Sequence, residues 1–290
     1  MRDIFFLVLF VALIPYCLVH VEWGVATWYF VSLFQPQSQS FSVSKSIPFG
    51  AISGIIVLIG WLRQPNRKLS NSKLVIILLL LGGWTTLTTI FAVSPSNSYK
   101  DWNEFISLIV MVLAATVVMN SRRRLEILVW TIAISIGYYG FKVGIFALRG
   151  GGGGSFRGPT YMNGNNELAR GAIMLLPLLF FLFRNWKQIW IRSCVGAVAG
   201  GTLLTLVLSG SRGAWLGFAA MMAVAALRVR RGLLWVSLAL ALGAAVVPIL
   251  PAQIIARFDT IRDYENDPSV QGRFAAWEYA LDKFPQRPFM

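Results

Sequence analysis

Long blocks of apolar residues alternate with short polar stretches along the whole chain. The blocks are apolar throughout rather than at every third or fourth position, which is typical of helices that face lipid. Only helices and closed barrels satisfy their backbone polar groups in hydrocarbon, and no short alternating strands are visible. Ten blocks lie at about residues 4–19, 24–34, 46–62, 74–93, 104–120, 127–148, 167–183, 190–208, 213–227 and 233–250. The pattern predicts an all-α polytopic membrane protein with about ten transmembrane helices.

The second block, residues 24–34, is too short to span a bilayer upright. We expect it to form a tight or partly re-entrant hairpin with the first block. His20 falls between these two blocks, and a local structural role in the hairpin is the simplest account of it.

The composition strengthens the membrane assignment. Hydrophobic residues make up 56% of the 290 residues and charged residues 13%, with a mean hydropathy of +0.64. A soluble domain would carry about 25% charged residues. A large buried soluble core is therefore disfavoured, and the lipid bilayer is the first predicted partner.

The basic residues predict which connections face the cytoplasm. Four connections, residues 63–73, 122–124, 184–192 and 228–231, hold thirteen of the 26 basic residues. Neighbouring connections of this set are separated by two apolar blocks, so all four can lie on one side of the membrane. The positive-inside rule makes that side the cytoplasm. We therefore expect a multi-pass protein of the bacterial inner membrane, and the net charge of +14 is mostly a topological signal.

The remaining connections are predicted to face the periplasm. They are residues 35–45, 94–103, 149–166, 209–212 and everything after residue 251. Of the forty residues from 251 to 290, eleven are charged. The chain is thus predicted to divide into a transmembrane bundle, residues 1–250, and the start of a periplasmic loop domain, residues 251–290.

A short amphipathic helix is predicted within that last segment. Asp267 and Pro268 form a typical helix start, with proline in the first turn. Apolar residues then recur at spacings of three and four, namely Phe274, Trp277, Leu281 and Phe284. Such a face would lie on the membrane or on the helical bundle.

Several chemistries are excluded or disfavoured. A nucleic-acid-binding protein would need a basic soluble surface with interleaved aromatic residues, whereas the charges here lie in connections between apolar blocks. Cys17 and Cys194 both sit inside apolar blocks, so no disulfide framework is indicated. With His20 as the one histidine, a zinc centre is not expected either. No metal and no cofactor are predicted.

Arg212, in the stretch Ser209 to Gly213, is the first candidate for ligand binding. The planar guanidinium suits phosphate oxygens, and the small residues around it would let a phosphate or sugar approach. The alternative is a tight turn whose arginine reaches lipid headgroups. Lys142, near the outer end of its helix, could equally extend to the membrane surface. Arg273, at the start of the tail helix, could be a solvated surface arginine.

Secondary candidates lie around the 149–166 connection. Asn165 or Asn166 is expected to cap the next helix, and Glu167 with Arg170 is expected to pair at a spacing of three. Arg157 follows a run of five glycines, residues 150–154, which predicts a flexible linker. Such a loop could gather an anionic substrate or could simply be solvated.

The chain resembles the O-antigen ligase and polymerase superfamily in the order and spacing of several motifs. Asn-Glu-Leu-Ala opens one helix at residues 166–169, Ser-Arg-Gly opens another at 211–213, and Gly-Arg-Phe-Ala-Ala-Trp follows at 272–277. Within this superfamily it is most similar to the putative O-glycosylation ligases associated with the exosortase A system. That likeness rests on residues 46–50, 84–92 and 135–144.

The resemblance implies a membrane glycan ligase with a fold related to the lipid-dependent (GT-C-like) glycosyltransferases. Such enzymes move an oligosaccharide from a polyprenyl diphosphate carrier to a protein, lipid or polysaccharide acceptor at the periplasmic face, without a metal. By this resemblance Arg212 and Arg273 would hold the donor diphosphate, and Lys142 would be a third contributor. Fixed cations there would stabilise the charge that develops on the leaving diphosphate.

The catalytic group stays unknown at this level. Family ligases carry a histidine later in the outer loop, which here would lie beyond Met290, so a truncated or incomplete member is expected. A polysaccharide polymerase of the same superfamily is the nearest alternative. A transporter or lipid-carrier flippase would need a polar pathway and internal repeats, and a non-catalytic component of polysaccharide export is the remaining alternative.

Overall fold

The structure is a computed structural model, and every regular element that it describes is a helix. It describes residues 2–39, 44, 46–63, 72–92, 94–149, 159–228, 232–234, 236–237, 241 and 268–286. The α-helices are α1 (Arg2–Val19), α2 (Val21–Phe34), α3 (Phe49–Leu62), α4 (Lys73–Ile90), α5 (Pro95–Val118), α6 (Arg122–Leu148), α7 (Asn165–Asn185), α8 (Ile189–Leu208), α9 (Arg212–Arg228) and α10 (Pro268–Lys283). Short 3-10 helices cover Pro36–Gln39 and Thr160–Met162.

The apolar blocks predicted from the sequence coincide with these helices. The first nine correspond in order to α1 to α9, and the tenth, residues 233–250, lies largely outside the described residues. In the described part of the chain, α4 to α8 are the five helices long and apolar enough to cross a membrane. The all-helical membrane class is confirmed, whereas a total of about ten transmembrane helices stays a prediction.

Two predicted boundaries are wrong, both for the same physical reason. Residues 95–103 were expected in an outer loop, but α5 already begins at Pro95, which occupies its first turn. Likewise α6 begins at Arg122, so the arginine triplet forms a helical turn rather than a loop. An apolar block marks only the part of a helix that can lie in hydrocarbon, while a polar sequence can continue the same helix into water.

The chain forms two compact units. Unit 1 comprises Met1–Tyr29, Ser46–Leu128 and Arg262–Met290, and unit 2 comprises Phe30–Lys45 and Val129–Ile261. The predicted division at residue 251 separates a transmembrane bundle from a periplasmic loop domain rather than two packing units, and it stays a prediction.

The core of unit 1 is built around α2. Val21, Val25 and Trp28 are buried against Val57 of α3 and Met111 of α5. Close approach of α2 and α3 depends on glycine, since a Cβ atom at position 54 would come within 2.9 Å of the Trp28 ring.

An ion pair connects two helix ends in unit 1. The Arg124 guanidinium lies 3.4 Å from the Glu22 carboxylate and also donates to the Val118 carbonyl at 3.1 Å. The start of α2, next to His20, and the connection between α5 and α6 therefore lie at the same end of this unit. This agrees with the predicted alternation, in which both connections face the cytoplasm.

Unit 2 is held together by leucine packing between α7 and α8 and by close backbone contact between α6 and α8. Leu175, Leu179 and Leu182 are fully buried. A Cβ atom at Gly144 would overlap the Gly201 carbonyl oxygen. One small residue every four along a helix is the usual means by which membrane helices approach closely.

Hydrogen bonding reinforces this contact. The Thr205 hydroxyl of α8 donates to the Gly140 carbonyl of α6 at 2.6 Å, and Thr205 is fully buried. A Cβ atom at Gly140 would lie 2.5 Å from the Thr202 hydroxyl oxygen. The distance between α6 and α8 is thus set by the absence of side chains at these glycines.

Replacing Gly201 by alanine should destabilise the protein. A Cβ atom there would lie 2.8 Å from backbone and ring atoms of Phe141, and such overpacking costs about 1–3 kcal/mol. Gly200→Ala is the matched control, because its Cβ would meet nothing within 4 Å and alanine favours helix by about 1 kcal/mol. Unfolding by increasing SDS in mixed micelles measures both; equal midpoints for the two variants would contradict the close contact.

Candidate functional site

Two buried serines and one glycine fix the turn between α8 and α9. The Ser209 hydroxyl donates to the Leu206 carbonyl at 2.8 Å, and the Ser211 backbone N–H donates to the Ser209 hydroxyl oxygen at 3.2 Å. Gly210 has a φ of 63°, in the left-handed region that favours glycine. The Ser-Gly-Ser sequence therefore specifies one defined turn.

Ser211 caps α9. Its hydroxyl oxygen accepts the backbone N–H of Ala214 at 3.3 Å, which is the third residue of the helix and the usual partner of a capping serine. Ala214 is itself buried and packs in a small cluster with Ala169 of α7 and Leu206 of α8. The start of α9 is thus anchored on both neighbouring helices.

Arg212 is consequently the first residue of α9. The N-terminal end of a helix carries a partial positive charge and free backbone N–H groups, both of which favour anions. The adjacent Gly213 is exposed, and a Cβ atom there would meet nothing within 4 Å. The turn therefore combines an arginine, a helix N-terminus and open space in three consecutive residues.

Lys142 lies on α6 and is exposed. Its ammonium group is 5.6 Å from the centre of the Tyr138 ring, within the range of a cation–π contact. Tyr138 in turn makes an edge contact with the Tyr139 ring at 5.2 Å. Lys142 therefore lies next to a pair of aromatic rings on α6.

One hydrophobic cluster connects the helices that carry these cations. Its buried members include Tyr139 and Val143 of α6, Met162 and Leu168 around the start of α7, and Leu208 at the end of α8, with Trp215 of α9 packed against them. The helix segments that carry Lys142, Arg170 and Arg212 therefore meet at one end of unit 2.

Two tyrosine hydroxyls of the same unit donate hydrogen bonds to the last carbonyls of α2. The Tyr139 hydroxyl donates to the Phe34 carbonyl at 2.6 Å and accepts the Gln39 side-chain N–H at 3.0 Å. The Tyr161 hydroxyl donates to the Leu33 carbonyl. The last carbonyls of a helix lack partners within it, and these phenols supply them. Burial raises the pKa of the Tyr161 hydroxyl, so it remains a neutral donor.

The secondary candidates at the start of α7 bind each other. The Arg170 guanidinium lies 3.0 Å from the Glu167 carboxylate, which confirms the predicted pair. The predicted asparagine cap is wrong, because Gly164 occupies the capping position and Asn165 is already helical. Without a Cβ, Gly164 leaves room for the Glu167 carboxylate, which folds back to this point.

Arg273 lies on α10, which belongs to unit 1, and it is exposed. The helix begins at Pro268 as predicted. The residues predicted to form its apolar face, Phe274, Trp277, Leu281 and Phe284, are between 48% and 75% exposed. Convergence of Arg273 with Arg212 stays a prediction, and Arg157 lies outside the described residues.

The described part of unit 2 is strongly cationic. Glu167 is its one acidic residue. Its basic residues are Lys142, Arg149, Arg170, Arg184, Lys187, Arg192, Arg212 and Arg228. Nowhere in the described ranges do three His, Cys, Asp or Glu side chains come together.

Sequence reasoning missed the tyrosine contacts with α2. Tyr139 and its carbonyl partner are separated by 105 residues, and no local pattern connects such positions. The capping role of Ser211 was more accessible, because serine immediately before an apolar helix is a common capping signal.

Two family comparisons cover most of the chain. Residues 1–187 match a family of unknown function, DUF5935, and residues 197–290 match the O-antigen ligase family. The first region contains Lys142, Glu167 and Arg170, and the second contains Arg212 and Arg273. No curated protein and no solved structure matches the chain.

Removing the Ser211 hydroxyl should loosen the start of α9. Loss of a helix cap costs about 0.5–2 kcal/mol, so Ser211→Ala should lower the SDS unfolding midpoint. Ser107→Ala is the control, since that exposed hydroxyl bonds only to a carbonyl of its own helix and should change stability by about 0.5 kcal/mol or less. Unchanged stability of Ser211→Ala would argue against the cap.

Proposed function

The chain belongs to the DUF5935 family of unknown function, and we propose that it is a membrane glycan ligase acting on a polyprenyl diphosphate-linked oligosaccharide at the periplasmic face. The match of residues 197–290 to the O-antigen ligase family indicates a membrane glycan ligase or polymerase. The carrier, the acceptor and the side of the membrane belong to the proposal.

The observation that carries the proposal is the position of Arg212. The α8–α9 turn places it at the N-terminus of α9, beside an exposed glycine, within the O-antigen ligase match. A donor diphosphate carries negative charge that increases as the glycosidic bond breaks. An arginine and the free helix N–H groups at that point would stabilise the transition state more than the ground state.

Lys142 and Arg273 have different support. Lys142 lies on a helix that shares the hydrophobic cluster of the α8–α9 turn, so we propose that it contacts the same donor. Arg273 is proposed as a second diphosphate ligand on the basis of its place in the O-antigen ligase match and its exposure on α10. Arg157 is proposed to attract the anionic donor to the site.

Glu167 and Arg170 receive a positioning role. Their mutual ion pair and the contact of Glu167 with Gly164 stabilise the first turn of α7. This turn packs in the cluster that also holds the end of α8. We propose that they keep the α7 start in place rather than touch substrate.

The proposed subgroup of ligase rests on the sequence resemblance of residues 46–50, 84–92 and 135–144. We propose a ligase of the kind associated with the exosortase A system, with a GT-C-like helical fold, in the bacterial inner membrane. A polymerase would use the same donor chemistry with a growing polysaccharide as acceptor, and the O-antigen ligase match accommodates both.

Arg212→Ala should abolish most donor turnover. Removal of one transition-state hydrogen-bond donor lowers the rate about 10²–10³-fold. Arg212→Lys should recover only part of the rate, because an ammonium lacks the planar fork. The measurement is glycan transfer in proteoliposomes by the protein at its natural full length, supplied with a polyprenyl diphosphate-linked oligosaccharide. Arg123→Ala, an exposed arginine near the predicted cytoplasmic end of α6, is the control; full activity of Arg212→Ala would refute the role.

The side of the membrane is testable by cysteine accessibility. In a chain lacking Cys17 and Cys194, Gly213→Cys should react with a membrane-impermeant maleimide in intact cells whose outer membrane is permeable. Arg123→Cys should react only after the inner membrane is opened. The reverse pattern would place the α8–α9 turn in the cytoplasm and overturn the periplasmic site.

A further inference from the structure

Two of the four basic connections predicted from the sequence, α5–α6 and α7–α8, lie in the part of the chain that the structure describes, and their cations differ in how they are paired. At the α5–α6 connection, Arg122 pairs with Glu126 at 3.3 Å and Arg124 pairs with Glu22 at 3.4 Å. These arginines are neutralised by the protein itself. At the connection between α7 and α8, by contrast, no carboxylate among the described residues forms an ion pair with Arg184, Lys187 or Arg192. The sequence also contains no acidic residue between Glu167 and Asp259.

Three cations occupy this α7–α8 connection. They are Arg184 in the last turn of α7, Lys187 in the connection, and Arg192 in the first turns of α8. Arg184 and Lys187 are exposed, and Arg192 is half-buried. The N-terminus of α8 also lies here, with no side chain hydrogen-bonded as its cap, and adds a favourable potential for an anion.

The Arg192 side chain packs on an aromatic ring, and its Nε–H donor has no hydrogen-bond partner. Its guanidinium carbon lies 4.5 Å from the centre of the Phe183 ring, so the face of the group is occupied by a cation–π contact. Its Nε–H is buried and has no hydrogen-bond partner. An unpaired buried donor costs free energy, and a phosphate bound at the terminal guanidinium nitrogens would place negative charge next to it.

The surroundings specify an amphipathic ligand. Ile189 and Trp190 are 75% and 67% exposed beside these cations. Trp186 is half-buried and contacts Trp130 edge-to-face at 5.7 Å. Tryptophan next to basic residues at the ends of two spanning helices is typical of the headgroup layer. A ligand here must present a phosphate to Arg192 and an apolar part to the exposed side chains.

We propose that the α7–α8 connection is a binding site for the phosphodiester headgroup of an anionic phospholipid. The terminal guanidinium nitrogens of Arg192 donate to the phosphate, Lys187 and Arg184 supply additional positive charge, and the acyl chains lie along the exposed apolar residues of α8. Basic pockets between membrane helices bind anionic lipids in this way. The site is separate from the proposed glycan transfer and does not depend on it.

The test is lipid binding to the purified full chain in a neutral detergent. Phosphatidylglycerol should remain bound in native mass spectrometry and raise the melting temperature, whereas phosphatidylcholine should do neither. Arg192→Gln and Lys187→Gln should each weaken phosphatidylglycerol binding about five-fold, the effect of one cation near a headgroup. Arg123→Gln, between the two paired arginines of the α5–α6 connection, is the matched control and should bind as the parent does.

Three outcomes would overturn the proposal. The first is undiminished phosphatidylglycerol binding by both glutamine variants, and the second is equal binding of phosphatidylcholine. The third is equal stabilisation by inorganic phosphate at millimolar concentration, which would indicate a soluble anion instead of a lipid. Should Arg192→Gln fail to fold, Lys187→Gln decides alone, because Lys187 is exposed and its loss leaves the helix packing intact.

Discussion

The close backbone contact between α6 and α8 is the constraint on which unit 2 depends. In a bilayer, burying apolar side chains between helices provides little driving force, since lipid tails are equally apolar. Association must come from van der Waals packing and hydrogen bonds at short distance. Gly140, Gly144 and Gly201 allow that distance, and the Thr205 hydroxyl uses it to reach the Gly140 carbonyl. The ends of α8 and α6, and hence the turn that carries Arg212, take their positions from this contact.

Buried hydroxyl groups also form hydrogen bonds along α8 and in the α8–α9 turn. Thr205 bonds to α6, Ser209 completes the end of α8, and Ser211 begins α9. The hydroxyls of Ser209 and Ser211 satisfy backbone groups that lack a partner at a helix end, and the Thr205 hydroxyl adds a second donor to the Gly140 carbonyl where the two helices cross. A short, rigid turn between two membrane helices follows, with its arginine presented at a helix N-terminus. The Ser-Gly-Ser-Arg-Gly sequence therefore defines the conformation of the turn, and the proposed diphosphate contact depends on that conformation.

Much of the fold was accessible from the sequence because the bilayer imposes long apolar blocks. The positions of α1 to α9 and the start of α10 at Pro268 follow from that pattern. The pattern did not predict polar helix ends, such as the first turns of α5. It also could not predict contacts between residues far apart in the sequence, such as Tyr139 with Phe34. Arg212 and Lys142 could be chosen as candidate site residues from the sequence, because they are cationic and lie near the ends of apolar blocks. The shared cluster that brings their helices together depends on tertiary packing, which hydropathy does not encode.

The tyrosine hydroxyls at the end of α2 have a consequence for the conditions under which the protein works. The periplasm follows the acidity and salt content of the medium, so contacts made by carboxylates or ammonium groups weaken there when either changes. A phenol is uncharged over the whole physiological range, and burial extends that range upward for Tyr161. If this end faces the periplasm as proposed, the hydrogen bonds that the two phenols donate to the last carbonyls of α2 persist when the pH or the salt concentration of the medium changes.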